Sequence, residues 1–169
     1  MAFSRIQTNG DDWLDKVFNA DTSTPSSNDQ YDLAVSDTIS NNNNANNMDV
    51  VICFEGINPG APVNSVSPQY RIFVVVEEET TPGAWSEIAE SFGVLYRNFP
   101  DGPTEAKFII QTRNTSDQGQ PFNTFKGAKW FINENPSSDI RVRIFFEESD
   151  PSSAAALVSA TISGTYRFY

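Results

Sequence analysis

The stretch Gln69–Glu79, QYRIFVVVEEE, decides the fold that this chain is expected to adopt. In an extended strand successive side chains point to opposite faces, so Val74 and Val76 share one face while Phe73 and Val75 share the other. A strand that is apolar on both faces belongs in the middle of a packed sheet, and the β-branched run favours a strand over a helix. The sequence therefore predicts a central strand here.

Similar stretches recur along the chain and predict an all-β protein. Asp139–Glu148, DIRVRIFFEE, has the same pattern, because its RIF at 143–145 repeats the RIF at 71–73. Further strands are predicted at Tyr31–Ile39, Asp49–Gly56, Val94–Phe99, Glu105–Arg113, Phe125–Asn133 and Ala155–Tyr169. About eight strands separated by Gly, Pro and Asn turns, with no sustained helical pattern, indicate a single jelly-roll-like β-sandwich.

The first thirty residues do not resemble the rest of the chain. The sequence NGDD at 9–12 offers helix-capping residues and early-turn acids. The apolar residues that follow at helical spacing are Trp13, Leu14, Val17 and Phe18. We therefore predict a short helix over Asp11–Phe18, then a polar linker to Gln30. The expected organisation is an N-terminal arm, 1–30, followed by a β-sandwich domain, 31–169.

Two further segments leave alternatives open. Thr81–Phe92 is predicted as a short helix that Gly93 ends, with the alternative that Trp85–Phe99 forms one strand kinked at that glycine. The Asn-rich tract SNNNNANNMD, 40–49, is predicted as a solvent loop. Its amides are also suited to holding a sugar or a neighbouring subunit.

Composition limits the classes of function. The chain has 169 residues, a net charge of −11, a pI near 4.2 and only 11 Lys and Arg, so neither nucleic acid nor an anionic membrane surface is an expected partner. It contains no His and one Cys, which removes His-based nucleophile pairs, His-ligated zinc and an intrachain disulfide. Phosphate-loop and dinucleotide motifs are absent, so no cofactor is expected. Without an apolar leader at the start, we expect synthesis in a host cytoplasm without a signal peptide.

Carboxylates are the remaining candidates for chemistry. A glycosidase needs two acids about 5 to 10 Å apart. The candidates for such a pair are Glu77, Glu78, Glu79, Glu87, Glu90, Glu147 and Glu148. Calcium would use the oxygens of 133–135 with Asp139, or of Asp11, Asp12 and Asp15, but neither set fits the twelve-residue calcium loop. Acids at strand ends usually face water and protect sheet edges, so we predict no catalytic and no metal site.

Aromatic residues near both ends of the sequence are candidates for partner binding. The proposed anchors are Trp13, Leu14, Val17 and Phe18 in the arm, and Tyr166, Phe168 and Tyr169 at the other end. Chain ends usually fray unless they are tied down, so we expect the second group to pair in the sheet or to dock on a partner. Of the other tryptophans, Trp130 is expected in the core, whereas Trp85 lies near a loop.

In overall character the chain resembles small structural proteins of bacteriophage virions, of the capsid-decoration or cement type. The resemblance rests on the arm Met1–Gln30, the jelly-roll-like strand spacing from Tyr31 onward, and the tract Asn41–Asn47. It implies a homo-oligomer, commonly a trimer, that binds other virion proteins at joints of the outer shell. A genome-packaging subunit would need a basic arm, which this chain lacks.

Two alternatives belong to other classes. A carbohydrate-binding or adhesion module, including a phage tail or fibre component, would present two or three Trp or Tyr on one exposed surface. A carboxylate hydrolase would bring two acids together in a cleft. The virion protein is the expected function.

Overall fold

The computed structural model describes residues 2–21, 30–41, 45, 48–58, 69–90, 94–97, 108–111, 138–148 and 157–169. Within these residues every regular element is a β-strand, which confirms the predicted all-β class. The strands are β1 (Ser4–Arg5), β2 (Gln7–Thr8), β3 (Asp11–Asp12), β4 (Lys16–Asp21), β5 (Gln30–Val35), β6 (Met48–Asn58), β7 (Gln69–Thr81), β8 (Ala84–Glu90), β9 (Val94–Arg97), β10 (Phe108–Gln111), β11 (Ile140–Glu148) and β12 (Leu157–Phe168).

The strands form two antiparallel sheets and one short hairpin, β2–β3. Sheet I has the order β4–β12–β6–β10, with β1 on the same side of β12 as β4. Sheet II has the order β5–β11–β7–β8, and β9 pairs with the other half of the β7 edge that β8 uses. From β4 to β7, and again from β10 to β12, successive described strands belong to opposite sheets. This is a jelly-roll arrangement.

The core lies between the two sheets and is built from alternate residues of their strands. Ile52, Phe54 and Ile162 of sheet I have no exposed surface, and neither do Val74 and Ile144 of sheet II. Period-two burial of this kind follows from the pleat, because successive side chains point to opposite faces. Two inner faces therefore supply one continuous core.

The central strand predicted from Gln69–Glu79 is confirmed as β7. Val74 and Val76 are fully buried on the inner face, and Phe73 and Val75 are 6% and 1% exposed on the outer face. β11, whose sequence resembles that of β7, is its antiparallel neighbour. Phe145 lies directly opposite Phe73, and the two rings stack with centroids 5.0 Å apart.

The helix predicted over Asp11–Phe18 is wrong. The chain makes a tight hairpin at Asn9 and Gly10, where φ is 54° and 77°, and then enters β4. Positive φ at both central residues is the type I′ geometry that Asn-Gly favours, so this dipeptide marks a hairpin instead of a helix cap. Asp15, with φ 52°, makes the second bend that leads into the strand.

The helix favoured for Thr81–Phe92 is also wrong. β7 and β8 form a hairpin, in which Thr81 pairs with Ala84 across Pro82 and Gly83. Gly83 has φ 82°, and its N–H donates to Oε1 of Glu79 at 2.7 Å. Pro followed by Gly supplies the two central residues of a type II turn, which outweighs the helix-start pattern of Thr-Pro.

Several predictions lie outside the described residues. They concern the strand Phe125–Asn133 with Trp130, the calcium candidates at 133–135, the linker residues 22–29 and most of the tract 42–47.

Candidate interaction surface

The N-terminal residues 4–21 form one edge of sheet I. Ser4 of β1 pairs with Tyr166, and β4 pairs along Leu157–Ile162 of β12. Between these pairings the chain leaves the sheet as the β2–β3 hairpin and returns at Trp13, whose carbonyl accepts the N–H of Gly164 at 2.9 Å. The ladder on this side of β12 is therefore continued by main-chain bonds across the excursion.

The β2–β3 hairpin is fastened to the bend that follows β5. The N–H groups of Asn9 and Gly10 donate to the two carboxylate oxygens of Asp37, each at 2.8 Å. Thr8 Oγ1 donates to the carbonyl of Val35 at 2.7 Å. Because β5 belongs to sheet II, this hairpin ties the edge of one sheet to the other.

Two of the four predicted arm anchors are core residues. Trp13 has no exposed surface and Phe18 is 9% exposed, and their rings meet edge to face with centroids 5.2 Å apart. Trp13 Nε1 donates to Thr8 Oγ1 at 2.7 Å, which satisfies its buried polar group. These rings have almost no surface to offer a partner while the sandwich is folded.

The exposed apolar side chains are a different subset. Leu14, Val17 and Tyr169 are 53%, 58% and 50% exposed, so these three predicted anchors are accessible. Phe168 is buried against the core and Tyr166 is half-buried beside it. Phe3, 48% exposed, was missed by the sequence analysis because a lone Phe near the start carries no pattern.

The outer face of sheet I is open and rich in hydroxyl groups. Along β12 the inward residues Ala160 and Ile162 are buried, whereas the alternating Ser and Thr between them are only half-buried. We call this surface the hydroxyl face. Its members with described side chains are Arg5, Val17, Asn19, Asp49, Val51, Cys53, Glu55, Ser159, Thr161, Ser163, Thr165 and Arg167.

Arg167 organises one end of the hydroxyl face. Its guanidinium carbon lies 4.7 Å from the ring centroid of Phe3 and 5.6 Å from that of Tyr169. It also forms an ion pair with Asp49, whose side chain is 3% exposed. Cation–π contact and the ion pair together hold two exposed aromatic rings at fixed positions.

The described side chains of the hydroxyl face carry balanced charge in an acidic protein. Among them the cations are Arg5 and Arg167, and the anions are Asp49 and Glu55. The outer face of sheet II differs, since acids outnumber arginines among its described side chains. These acids are Asp32, Glu77, Glu79, Glu87, Glu90 and Glu147, against Arg141 and Arg143. The two outer faces therefore differ in charge as well as in composition.

The outer face of sheet II holds a network of ion pairs around Glu77. This carboxylate, in a residue 7% exposed, pairs with Arg141 and lies 3.8 Å from Nη1 of Arg143. Arg143 also pairs with Asp32, and the guanidinium of Arg141 lies 4.5 Å from the ring centroid of Trp85. Beside this network the stacked pair of phenylalanines described above is buried, so this face is packed where the hydroxyl face is open.

Several of the carboxylates considered for catalysis or calcium have structural contacts. Glu77 is held by arginines and Glu79 accepts a turn N–H, while Glu147 accepts a hydrogen bond from Gln30 at 3.1 Å. Asp11 and Asp12 lie near Lys16 and Arg5. Among the described side chains, no three His, Cys, Asp or Glu residues are grouped so that they could hold a metal ion.

Comparison with known proteins gives no indication of function, so a function has to be inferred from the fold and its surfaces. No protein-family model matches the chain, and the curated proteins gave no match either. In the described part of the chain, no helix has the length and apolar character needed to span a bilayer. The jelly-roll order and the two contrasting outer faces are the features from which a function has to be argued.

Proposed function

We propose that this protein is a non-enzymatic structural protein of a virion, of the capsid-decoration kind, which binds other protein subunits through many weak contacts repeated by symmetry. The observation that carries the proposal is the strand order, β4–β12–β6–β10 facing β5–β11–β7–β8. Double-sheet jelly rolls of this kind are the fold of viral capsid domains, of lectin domains and of cupins. Fold by itself does not define function, so the surface has to supply the rest of the argument.

The surface favours protein binding over chemistry. Among the described residues, the large exposed apolar side chains belong to the edge and outer face of sheet I or to the bend beside them; they are Phe3, Leu14, Val17 and Tyr169. Exposed aromatic and aliphatic groups beside polar residues are typical of protein interfaces. Each contact is small, but symmetric repetition on a shell would give high avidity.

The test of this function is binding to virus particles. We expect the recombinant protein to be a homo-oligomer, dimer or trimer, by size-exclusion chromatography with light scattering. We also expect it to co-sediment with particles of the virus from which the gene comes, with saturation at a fixed copy number. Failure to sediment with particles at any concentration would overturn the proposal.

One observation favours glycan binding as a second candidate. Trp85 is partly exposed on the outer face of sheet II, beside the planar guanidinium of Arg141, which in turn pairs with Glu77. Sugar sites combine an aromatic ring with planar polar side chains in this way. A glycan array distinguishes glycan binding from the virion function. Glycan binding by the wild type that Trp85→Ala abolishes would support a carbohydrate-binding module, and no binding of the wild type to any glycan would exclude it.

A further inference from the structure

We infer that the hydroxyl face is the surface on which a second copy of this chain docks, the outer face of sheet I of one copy packing against the same face of the other across a two-fold axis. This rests on the proposed function, since it names the surface through which copies of an assembly protein associate. The argument has three parts: charge, area and exposure.

Charge selects the face. Two copies of a chain with net charge −11 repel each other, and docking through faces of balanced charge adds the least further repulsion. Among the described side chains of the hydroxyl face, Arg5 and Arg167 balance Asp49 and Glu55. At about 0.15 M salt, charges more than about 8 Å apart are largely screened. The acids of sheet II lie behind a second sheet, roughly 10 Å further away. The charges on the two meeting faces therefore dominate the electrostatic energy of docking.

Area is sufficient for a specific dimer. β12 has 12 residues and is flanked by β4 with β1 on one side and by β6 on the other. At about 3.3 Å per residue and about 4.8 Å between strands, three strands cover roughly 40 Å by 14 Å. Two such faces together would bury on the order of 1,100 Å², which is above the roughly 1,000 Å² minimum for a specific interface and below the standard size of about 1,600 Å².

Exposure distinguishes this face from the other sheet. On sheet II the outward Phe73, Val75 and Phe145 are buried. On sheet I the outward Val17 is 58% exposed, and Thr161 and Ser163 in the centre are half-buried. Short hydroxyl side chains let two flat sheets approach closely, and a two-fold axis makes such an interface self-complementary.

Cys53, the only cysteine, is a reporter at the centre of the face. It pairs with Ser163 in the register of β6 and β12 and is half-buried. In a dimer of this kind its rate of reaction with a maleimide falls as protein concentration rises through the dimer dissociation constant. We expect light scattering to report a dimer over the same concentration range.

A charge variant and a matched control test the surface. Val17→Glu places an acid on the hydroxyl face, and Ala84→Glu adds the same charge at an exposed position of the β7–β8 hairpin. We expect the first to raise the dimer dissociation constant on the order of tenfold or more, and the second to leave it within about twofold. Lowering the salt concentration should weaken the dimer, because repulsion between acidic copies is then less screened.

The outcomes separate this inference from the proposed function. An oligomer in which Cys53 keeps its full reactivity and Val17→Glu has no effect overturns the docking surface, while particle binding still stands. A monomer at all concentrations overturns the second copy as occupant. If that monomer binds particles and Val17→Glu abolishes the binding, the face docks on a different virion protein, which also contradicts the inference. Absence of particle binding, with the dimer intact, overturns the proposed function alone.

Discussion

A Cβ atom added to Gly164 would lie 2.9 Å from Cε3 of Trp13. It would also lie 3.0 Å from the Cδ1 atoms of Ile6 and Ile52. The carbonyl of Gly164 accepts the N–H of Ile6 and its N–H donates to the carbonyl of Trp13, so the backbone at this point is fixed as well. Only glycine lets the β2–β3 excursion close against β12 at this distance.

We therefore expect Gly164→Ala to lower the free energy of unfolding by about 1–3 kcal/mol, the usual cost of overpacking a core. Urea denaturation measures the change.

Ile6→Val removes one of the crowding methyl groups, so the double variant should lose less than the sum of the single losses. Ser163→Ala, on the open side of the same strand, serves as the control and should change stability by less than about 0.5 kcal/mol. Equal stability of wild type and Gly164→Ala would contradict the packing described.

Trp13 and Leu14 are neighbours in sequence with opposite environments. Trp13 is fully buried and Leu14 is 53% exposed. We expect Trp13→Ala to destabilise the protein by about 3–5 kcal/mol, and Leu14→Ala by less than about 0.5 kcal/mol. Thermal and urea unfolding provide the comparison. If Trp13→Ala kept full stability, Trp13 would have to be regarded as an anchor for a partner and not as part of the core.

Asp37 tests the fastening of the hairpin. Its carboxylate accepts the N–H groups of Asn9 and Gly10, and Asp37→Ala leaves both without that acceptor. Because hydrogen bonds to charged groups contribute about 1.5–3 kcal/mol, and this site is exposed, we expect a loss of about 1–2 kcal/mol. Hydrogen exchange should rise at residues 7–12 more than in β7. Uniform exchange changes throughout both sheets would argue against a local clamp.

Glu77 tests the ion-pair network on sheet II. Glu77→Gln leaves Arg141 and Arg143 without their most buried anion, and we expect a loss of about 1–3 kcal/mol in urea unfolding. Asp32→Asn removes a carboxylate from the same network at a site whose side chain is 39% exposed, so its effect should stay below about 1 kcal/mol. Similar losses of stability for the two variants would show that the burial of a carboxylate does not determine how much its ion pair contributes.

The fold class could be predicted because it depends on local patterns. A β-branched run that is apolar on both faces, as at Val74–Val76, has few alternatives to a central strand. The two wrong helices share one cause. At Asn9-Gly10 and at Pro82-Gly83, turn dipeptides were weighed as helix starts, although both favour hairpins.

The candidate surface could be predicted only in part, because exposure depends on strands that are distant in sequence. Trp13 and Val17 both belong to an apolar cluster in the sequence, yet one is buried and the other lies open. The hydrogen bond between Trp13 and Gly164 buries the first, and the pairing of β4 with β12 turns the second outward; no local pattern encodes either contact. The contact of Arg167 with Phe3 likewise joins residues from opposite ends of the sequence.

The pairing of Ser4 with Tyr166 joins segments separated by nearly the whole sequence. Folds dominated by such long-range pairings typically reach the native state in milliseconds to seconds, because the chain entropy of a large loop is lost before the contacts form. Until β12 is in place, Ile6, Trp13 and Phe18 have no sheet to cover them. Refolding at micromolar concentration should therefore compete with aggregation, and the yield should fall as the protein concentration rises.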